Sequence, residues 1–289
     1  MTSSPEGPDD QLLDDQLLDD LLASAGEAAR AAGQLLWDGR RTVYDIDTKS
    51  SATDMVTAMD RAAEEAIVVI LGRSRPADSI VGEEGTARDG TSGIRWLVDP
   101  LDGTTNYLYD LPAWSVSVAA ESAGVALVGV VRDPSHGETF VAARGRGAWL
   151  WTDGAGEPRR LERGARPGRV PLQLATALVG TGFSYAAERR ARQASVLTRI
   201  LPNVRDIRRL GSAALDLCAV GAGRLDAYYE SGTQAWDRAA GLLVAAEAGC
   251  WIGGRGDDGP SVELCAAAAP EIAREFRHLL AEAGAAAGA

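Results

Sequence analysis

Three short stretches place carboxylates beside residues suited to phosphate or metal. Gly82-Glu83-Glu84-Gly85 follows Ser79-Ile80-Val81, Asp99-Pro100-Leu101-Asp102-Gly103-Thr104 follows Ile94-Arg95-Trp96-Leu97-Val98, and Trp236-Asp237 comes soon after Tyr228-Tyr229-Glu230. Acids at strand ends are held by a rigid scaffold while the adjoining loops leave room for a ligand. Two like charges about 4 Å apart repel by roughly 1 kcal/mol in water and about 4 kcal/mol at an effective dielectric of 20. Several such acids in one cleft therefore require cations. With only oxygen donors and neither Cys nor His among them, the set selects a hard ion, Mg²⁺ before Mn²⁺ or Ca²⁺.

Within the second stretch, Pro100 removes a backbone donor and fixes φ, which holds Asp99 and Asp102 in one bend with the Leu101 carbonyl between them. Gly103 allows close approach of the backbone to an anion, and the amides after it sit at a predicted helix start, where phosphate is favoured. Thr104 adds a hydroxyl able to orient a water. Alone, the stretch is also an ordinary turn, because Asp, Pro, Gly, Thr and Asn are turn residues. Glu83 and Asp237 move the reading to metal ions plus phosphate.

The elements that must position these acids follow from apolar periodicity. Residues 1–10 read as a disordered tail, and the leucine pairs of the acidic repeat 9–22 open a helix that ends near Gly39. Asp54 or Thr57 caps a second helix running to about Gly72. Strands are predicted at 79–81 and 94–98. Residues 113–151 form an antiparallel meander punctuated by Ala-Gly, Asp-Pro-Ser-His-Gly and Arg-Gly turns. A Gly-, Pro- and Arg-rich loop at 153–170 is the boundary candidate. Beyond it come a strand at 174–182, helices at 188–200 and 212–223, a strand at 224–230, a helix at 237–249, and a last helix after Pro270. The fold class is α+β passing into α/β: an antiparallel-rich half at 11–155 with most metal ligands, then an alternating half at 156–289 with Asp237 and the substrate contacts.

Composition narrows the function classes. The 289 residues carry 29 basic and 41 acidic side chains, a net charge of −12, which disfavours nucleic acid and anionic lipid as partners. Cys218, Cys250 and Cys265 are widely spaced, so they read as buried reduced thiols, not a zinc site or disulfides. His136 and His278 have no place in the chemistry. No signal peptide or apolar run of spanning length is evident, and a cytoplasmic location is expected.

Together, GEE at 82–84, DPLDGTTNY at 99–107 and AWDRAAG at 235–241 resemble the inositol monophosphatase family of Mg²⁺-dependent, lithium-sensitive phosphatases, in its bacterial form. The resemblance extends from about Lys49 to Gly249. It implies a layered αβαβα sandwich of the sugar-phosphatase type and two or three Mg²⁺ per active site. By position, Glu83, Asp99 and the Leu101 carbonyl would hold the first ion, and Asp99, Asp102 and Asp237 the second. Asp60 would pair with Thr104 to orient and deprotonate water, with Asp54 as the nearby competitor, and Glu83 would join them in catalysis. Leu101, Asp102, Gly103, Thr104 and Asp237 would border the phosphate, while Gly211, Ser212, Ala213 and Glu230 would line the alcohol side. The resemblance implies hydrolysis of myo-inositol 1-phosphate by metal-activated water. Fructose 1,6-bisphosphate, histidinol phosphate or a 3′-phosphoadenosine nucleotide are alternative substrates, and a regulatory protein keeping the fold is the non-enzyme alternative. It also implies a homodimer, and the region around Trp114, Trp149 and Trp151 is either its interface or core.

Overall fold

The computed structural model describes residues 15–41, 46–48, 55–163 and 172–288. The expected tail at 1–10, Lys49, Asp54 and positions 164–169 of the Arg-rich stretch lie outside the described residues. In chain order the elements are α1 (Asp15–Gly39), β1 (Ile46–Thr48), β2 (Met55–Thr57), α2 (Ala58–Ser74), β3 (Ser79–Gly82), β4 (Ala87–Arg88), β5 (Ile94–Asp102), α3 (Thr104–Leu108), β6 (Ser115–Ser122), β7 (Val125–Asp133), β8 (Glu138–Ala143), β9 (Gly147–Thr152) and β10 (Arg159–Leu161). Then come β11 (Leu178–Thr181), α4 (Ala187–Ile200), β12 (Asp206–Arg208), α5 (Ala213–Gly221), β13 (Ala227–Glu230), α6 (Ala235–Glu247), β14 (Trp251–Gly253), β15 (Cys265–Ala268) and α7 (Ala273–Ala283).

The larger sheet runs β10-β9-β8-β7-β6-β5-β3-β4 and is antiparallel except where β3 lies parallel to β5. The smaller runs β12-β11-β13-β15-β14, parallel across β12, β11 and β13 and antiparallel beyond. β1 and β2 form a separate antiparallel pair. The expected meander is β6 to β9, and its first turn, Ala123-Gly124, has φ of 49° and 81°, the positive pair of a tight hairpin.

Side-chain alternation builds the layers. In α1, Leu18, Leu21, Ala25, Ala28, Ala32 and Leu36 recur at helical spacing and, with Ala63, Ile67 and Leu71 of α2, cover Trp96, Val98, Val116, Val118 and Ala120 of the larger sheet. One register off, Leu97 and Ala119 face α5 and α6 through Ala214, Leu215, Ala240 and Leu243. Those helices also pack on Tyr228 and Ala267 of the smaller sheet. Its other face, with Ala227, Tyr229, Ala266 and Ala268, is covered by Val196 and Ile200 of α4 and Phe276 and Leu280 of α7. The result is the expected αβαβα order. The central layer is lined by small residues: a Cβ on Gly241 of α6 would lie 2.8 Å from the Ala214 carbonyl oxygen of α5, and one on Gly129 of β7 2.8 Å from Cα of Ala240.

Several boundaries differ from expectation. β10 lies inside the predicted boundary loop and pairs with β9, so the chain stays in the larger sheet past Ala155. Arg163, just beyond it, is buried against Asp226 at 2.6 Å. α2 begins at Ala58, which leaves Thr57, not Asp54, in the preceding position. Leu174–Thr176 is a 3₁₀ turn ahead of β11, closed by Gln173. Trp114 is core, packed edge-on to Tyr107 with ring centroids 5.0 Å apart, whereas Trp151 is half-exposed. All three cysteines are free and buried, and burial pushes the Cys250 and Cys265 thiols up to about 12.

Candidate active site

The bend that carries the central acids is built by its own residues. Pairing of β5 with β6 slips by one residue between Asp99 and Asp102, where Pro100 has no N–H to offer. Asp99 Oδ1 accepts from the Leu101 N–H at 3.0 Å, closing the turn. Gly103 is left-handed, φ 97°, and a Cβ there would lie 2.9 Å from the Ala113 carbonyl oxygen and 3.2 Å from that of Gly211. The glycine thus lets neighbouring backbone close around the bend, and it also lines the cavity.

Each flanking acid has its own support. Glu83 follows β3, and the loop is pinned by Glu64 of α2, which accepts from the Glu84 N–H at 2.8 Å and the Thr86 N–H at 3.0 Å. The buried Glu64 carboxylate occupies the space a Cβ on Gly82 would fill. Asp237 lies in the first turn of α6, where the helix dipole favours a carboxylate. Its Oδ2 accepts from the Gln234 N–H at 2.7 Å, and Ser117 of β6 donates to the Trp236 carbonyl at 3.1 Å, fixing that turn to the sheet. The helix starts two residues before the predicted Asp237, because Gln234 caps it. Ser212 caps α5 and donates to Asp102 Oδ2 at 2.7 Å, and Ala214 N–H donates to the same oxygen at 2.8 Å.

Strand alternation then brings the groups together. Asp99 shares the face of Leu97, and Glu230 that of Tyr228, so the two sheets aim one carboxylate each at the end of the central helical layer. Oxygens of Glu83, Asp99 and Asp237 all lie within 4.8 Å of one another. Glu83, Asp99, Leu101, Asp102, Gly103, Thr104, Gly211, Ser212, Ala213, Glu230 and Asp237 line one cavity of about 170 Å³. Asp60 does not line it. It lies behind Thr104, whose Oγ1 is 3.2 Å from both Asp60 Oδ1 and the Leu101 carbonyl oxygen. Ser212 is fully buried and engaged by Asp102, so its first role is to orient that acid. Neither histidine reaches the cavity: His136 pairs with Asp133 and His278 with Glu282. A larger hollow, about 850 Å³, lies between 254–257 and α7, but among the described residues it gathers no comparable carboxylate set.

The electrostatics fit a divalent cation. Burial, then the charges of Glu83, Asp102 and Asp237, holds the Asp99 carboxyl well above the usual range. Burial and then Glu83 and Asp102 do the same to Asp237. Burial pushes Asp102 up to about 7 despite the donors from Ser212 and Ala214. Such a set of converging hard oxygens is stabilised by a bound cation of the Mg²⁺ type. On the alcohol side, Tyr228 donates to Glu230 Oε2 at 2.6 Å, and burial raises the Glu230 carboxyl.

Sequence reasoning missed Glu64, Arg189, Arg209 and Asp216, of which the last three line the cavity. Asp216 left one sign, standing three residues after Ala213 and hence on the same helical face. Glu64, one of two adjacent acids in a helix, left none.

Residues 17–284 match the model of the inositol monophosphatase family. An inositol-1-monophosphatase of Mycobacterium leprae is 46% identical over 237 residues, covering 79% of this chain and 78% of that one. Nus factor SuhB of Pasteurella multocida is 40% identical over 262 residues, covering 89% and 94%. Among solved structures, Mycobacterium tuberculosis SuhB superposes with a TM-score of 0.77 at 37% identity, over 93% of this chain and 98% of that one.

Proposed function

The chain belongs to the inositol monophosphatase family, and from that premise we propose that it hydrolyses myo-inositol 1-phosphate to inositol and phosphate in the presence of Mg²⁺. The observation that carries this is the convergence of the Glu83, Asp99 and Asp237 oxygens within 4.8 Å, beside the Thr104–Asp60 pair. Glu83, Asp99 and the Leu101 carbonyl would hold one ion, and Asp99, Asp102 and Asp237 another. Bound Mg²⁺ supplies the charge that acidifies a water and neutralises the leaving oxygen.

The chain's own residues do the rest. Thr104 Oγ1 donates to Asp60, which leaves its lone pairs to accept from a water and gives the proton a path to a buried carboxylate. Gly103 and Thr104 border the phosphate. Gly211, Ala213 and Glu230 face the alcohol, and Tyr228 fixes Glu230 so that its second oxygen meets a substrate hydroxyl. Lithium inhibition and a homodimer belong to the same reading.

Phosphate release by the purified protein, with and without Mg²⁺ and Li⁺, is the test. The panel comprises inositol 1-phosphate, fructose 1,6-bisphosphate, histidinol phosphate and a 3′-phosphoadenosine nucleotide. Inositol 1-phosphate is expected to be cleaved fastest, with Asp99→Asn lowering kcat by at least about 10³-fold, because the buried carboxylate shared by both ion sites is lost. Preference for another ester would overturn the substrate, and an unaffected Asp99→Asn variant would overturn the site. The relatives named Nus factor SuhB favour a second reading, a regulatory role on the same fold. A chain that releases no phosphate from any ester would leave that reading standing.

A further inference from the structure

The alcohol side of the cavity holds a second carboxylate that neither the sequence motifs nor the ion sites use. Asp216, in α5, is 2% exposed and lines the cavity. Its Oδ1 is sealed from solvent and accepts no hydrogen bond, a state in which buried carboxylates are seldom left. A half-turn about the terminal bond leaves that position sealed, so a ligand in the cavity meets the other oxygen, Oδ2, which no described side chain engages.

The floor beneath it is shaped for two acids. Gly180 and Gly182 are two apart along β11 and its exit, and so share a face. A Cβ on Gly180 would lie 3.5 Å from Asp216 Cγ, and one on Gly182 only 2.2 Å from Glu230 Cδ. Asp216 and Glu230 thus rest side by side on a strip without side chains. Arg209 forms part of the same wall, makes no hydrogen bond or ion pair with another described residue, and acts electrostatically on both carboxylates. Its guanidinium lies over Gly211, 2.9 Å from where a Cβ would stand. Tyr228 already occupies one oxygen of Glu230, leaving one open oxygen there and one acceptor on Asp216.

We propose that Asp216 and Glu230 together accept two hydroxyls of the substrate's alcohol, which makes Asp216 a specificity-determining residue for polyol phosphates. This rests on the phosphatase reading above. Asp216 is placed to distinguish a ring that carries hydroxyls from one that does not, and takes no part in holding the ions.

The experiment compares kcat/KM of the full chain, with Mg²⁺, on myo-inositol 1-phosphate and on cyclohexyl phosphate, which keeps the ring and lacks the hydroxyls. Wild type should prefer the inositol ester. Asp216→Ala should lose roughly 10-fold on that ester and change within about twofold on cyclohexyl phosphate, as expected for a lost hydrogen bond to the substrate. Asp216→Asn, which keeps the shape and an acceptor oxygen, should fall between, and it repeats the comparison if the alanine variant folds poorly. The Mg²⁺ concentration for half-maximal rate should not move, because Asp216 holds no ion in this reading. Equal losses on both esters, no loss on either, or a raised Mg²⁺ requirement would overturn the assignment while leaving the phosphatase reading intact. If wild type cleaves neither ester, the phosphatase reading itself falls, and this inference with it.

Discussion

Asp102 shows how the site is balanced between proton and metal. Burial pushes it up to about 7 although two donors favour its charged form. A folded value above the ordinary carboxylate value of about 3.9 means that the metal-free fold keeps a proton which the unfolded chain has released. The stability from that proton is full below about pH 4 and declines by about 1.4 kcal/mol per pH unit up to about 7. On the proposed reading Mg²⁺ displaces this proton together with those on Asp99 and Asp237, so its affinity should weaken by at least about tenfold per unit below pH 7. We therefore expect the rise in Tm caused by saturating Mg²⁺ to be larger at pH 8 than at pH 6 in thermal denaturation. An equal rise would mean that Asp102 is not a ligand. At this scale the acids that converge on the cavity were legible, since Glu83, Asp99, Asp102 and Asp237 all stand in short motifs at strand or helix ends. Glu64 and Asp216 were not, because a single acid inside a helix reads as a solvated face until its neighbours in space are known.

Loops are held by elements that touch no substrate. The buried Glu64 carboxylate accepts two backbone N–H groups of the loop bearing Glu83. Glu64→Ala should cost about 2–4 kcal/mol in urea unfolding, for two lost charge-assisted bonds, and lower kcat about 10-fold or more through a loosened Glu83. Full activity in a destabilised variant would confine Glu64 to folding alone. Helices and meander strands were readable from periodicity, because runs such as those of α1 and β6 bury one consistent face. Their ends were less so: Gln234 starts α6 two residues before the predicted position, and Gln173 turns 174–176 away from the strand. Glutamine is not a favoured cap, so its side chain gave no signal in advance. β10 was hidden by the Gly, Pro and Arg around it, which read as loop.

The layered order belongs to the whole molecule, and it was legible only through the resemblance. Apolar runs mark α5 and α6 as buried without saying which two sheets they separate. That they stand between sheets is what allows Asp99 from one and Glu230 from the other to meet a single ligand. Gly129 lets α6 approach the larger sheet at Ala240, and Gly241 lets α6 lie close beside α5 at Ala214. Gly241→Ala would set a methyl 2.8 Å from the Ala214 carbonyl oxygen and from Leu217 Cβ. We expect a loss of about 1–3 kcal/mol from overpacking and a several-fold rise in the Mg²⁺ concentration for half-maximal rate. Unchanged Mg²⁺ dependence in a destabilised variant would show that Asp237 keeps its place when α6 and α5 are pushed apart.

Gly129 and Gly241 thus act as a shim. On the proposed reading they touch neither ion nor ester, yet the spacing they allow sets the aperture across which ligands on β5 and on α6 would reach a common cation. A cation that binds both sides is then a clamp on the interlayer gap. The loss of Mg²⁺ on chelation should be felt first as slack between the larger sheet and α6.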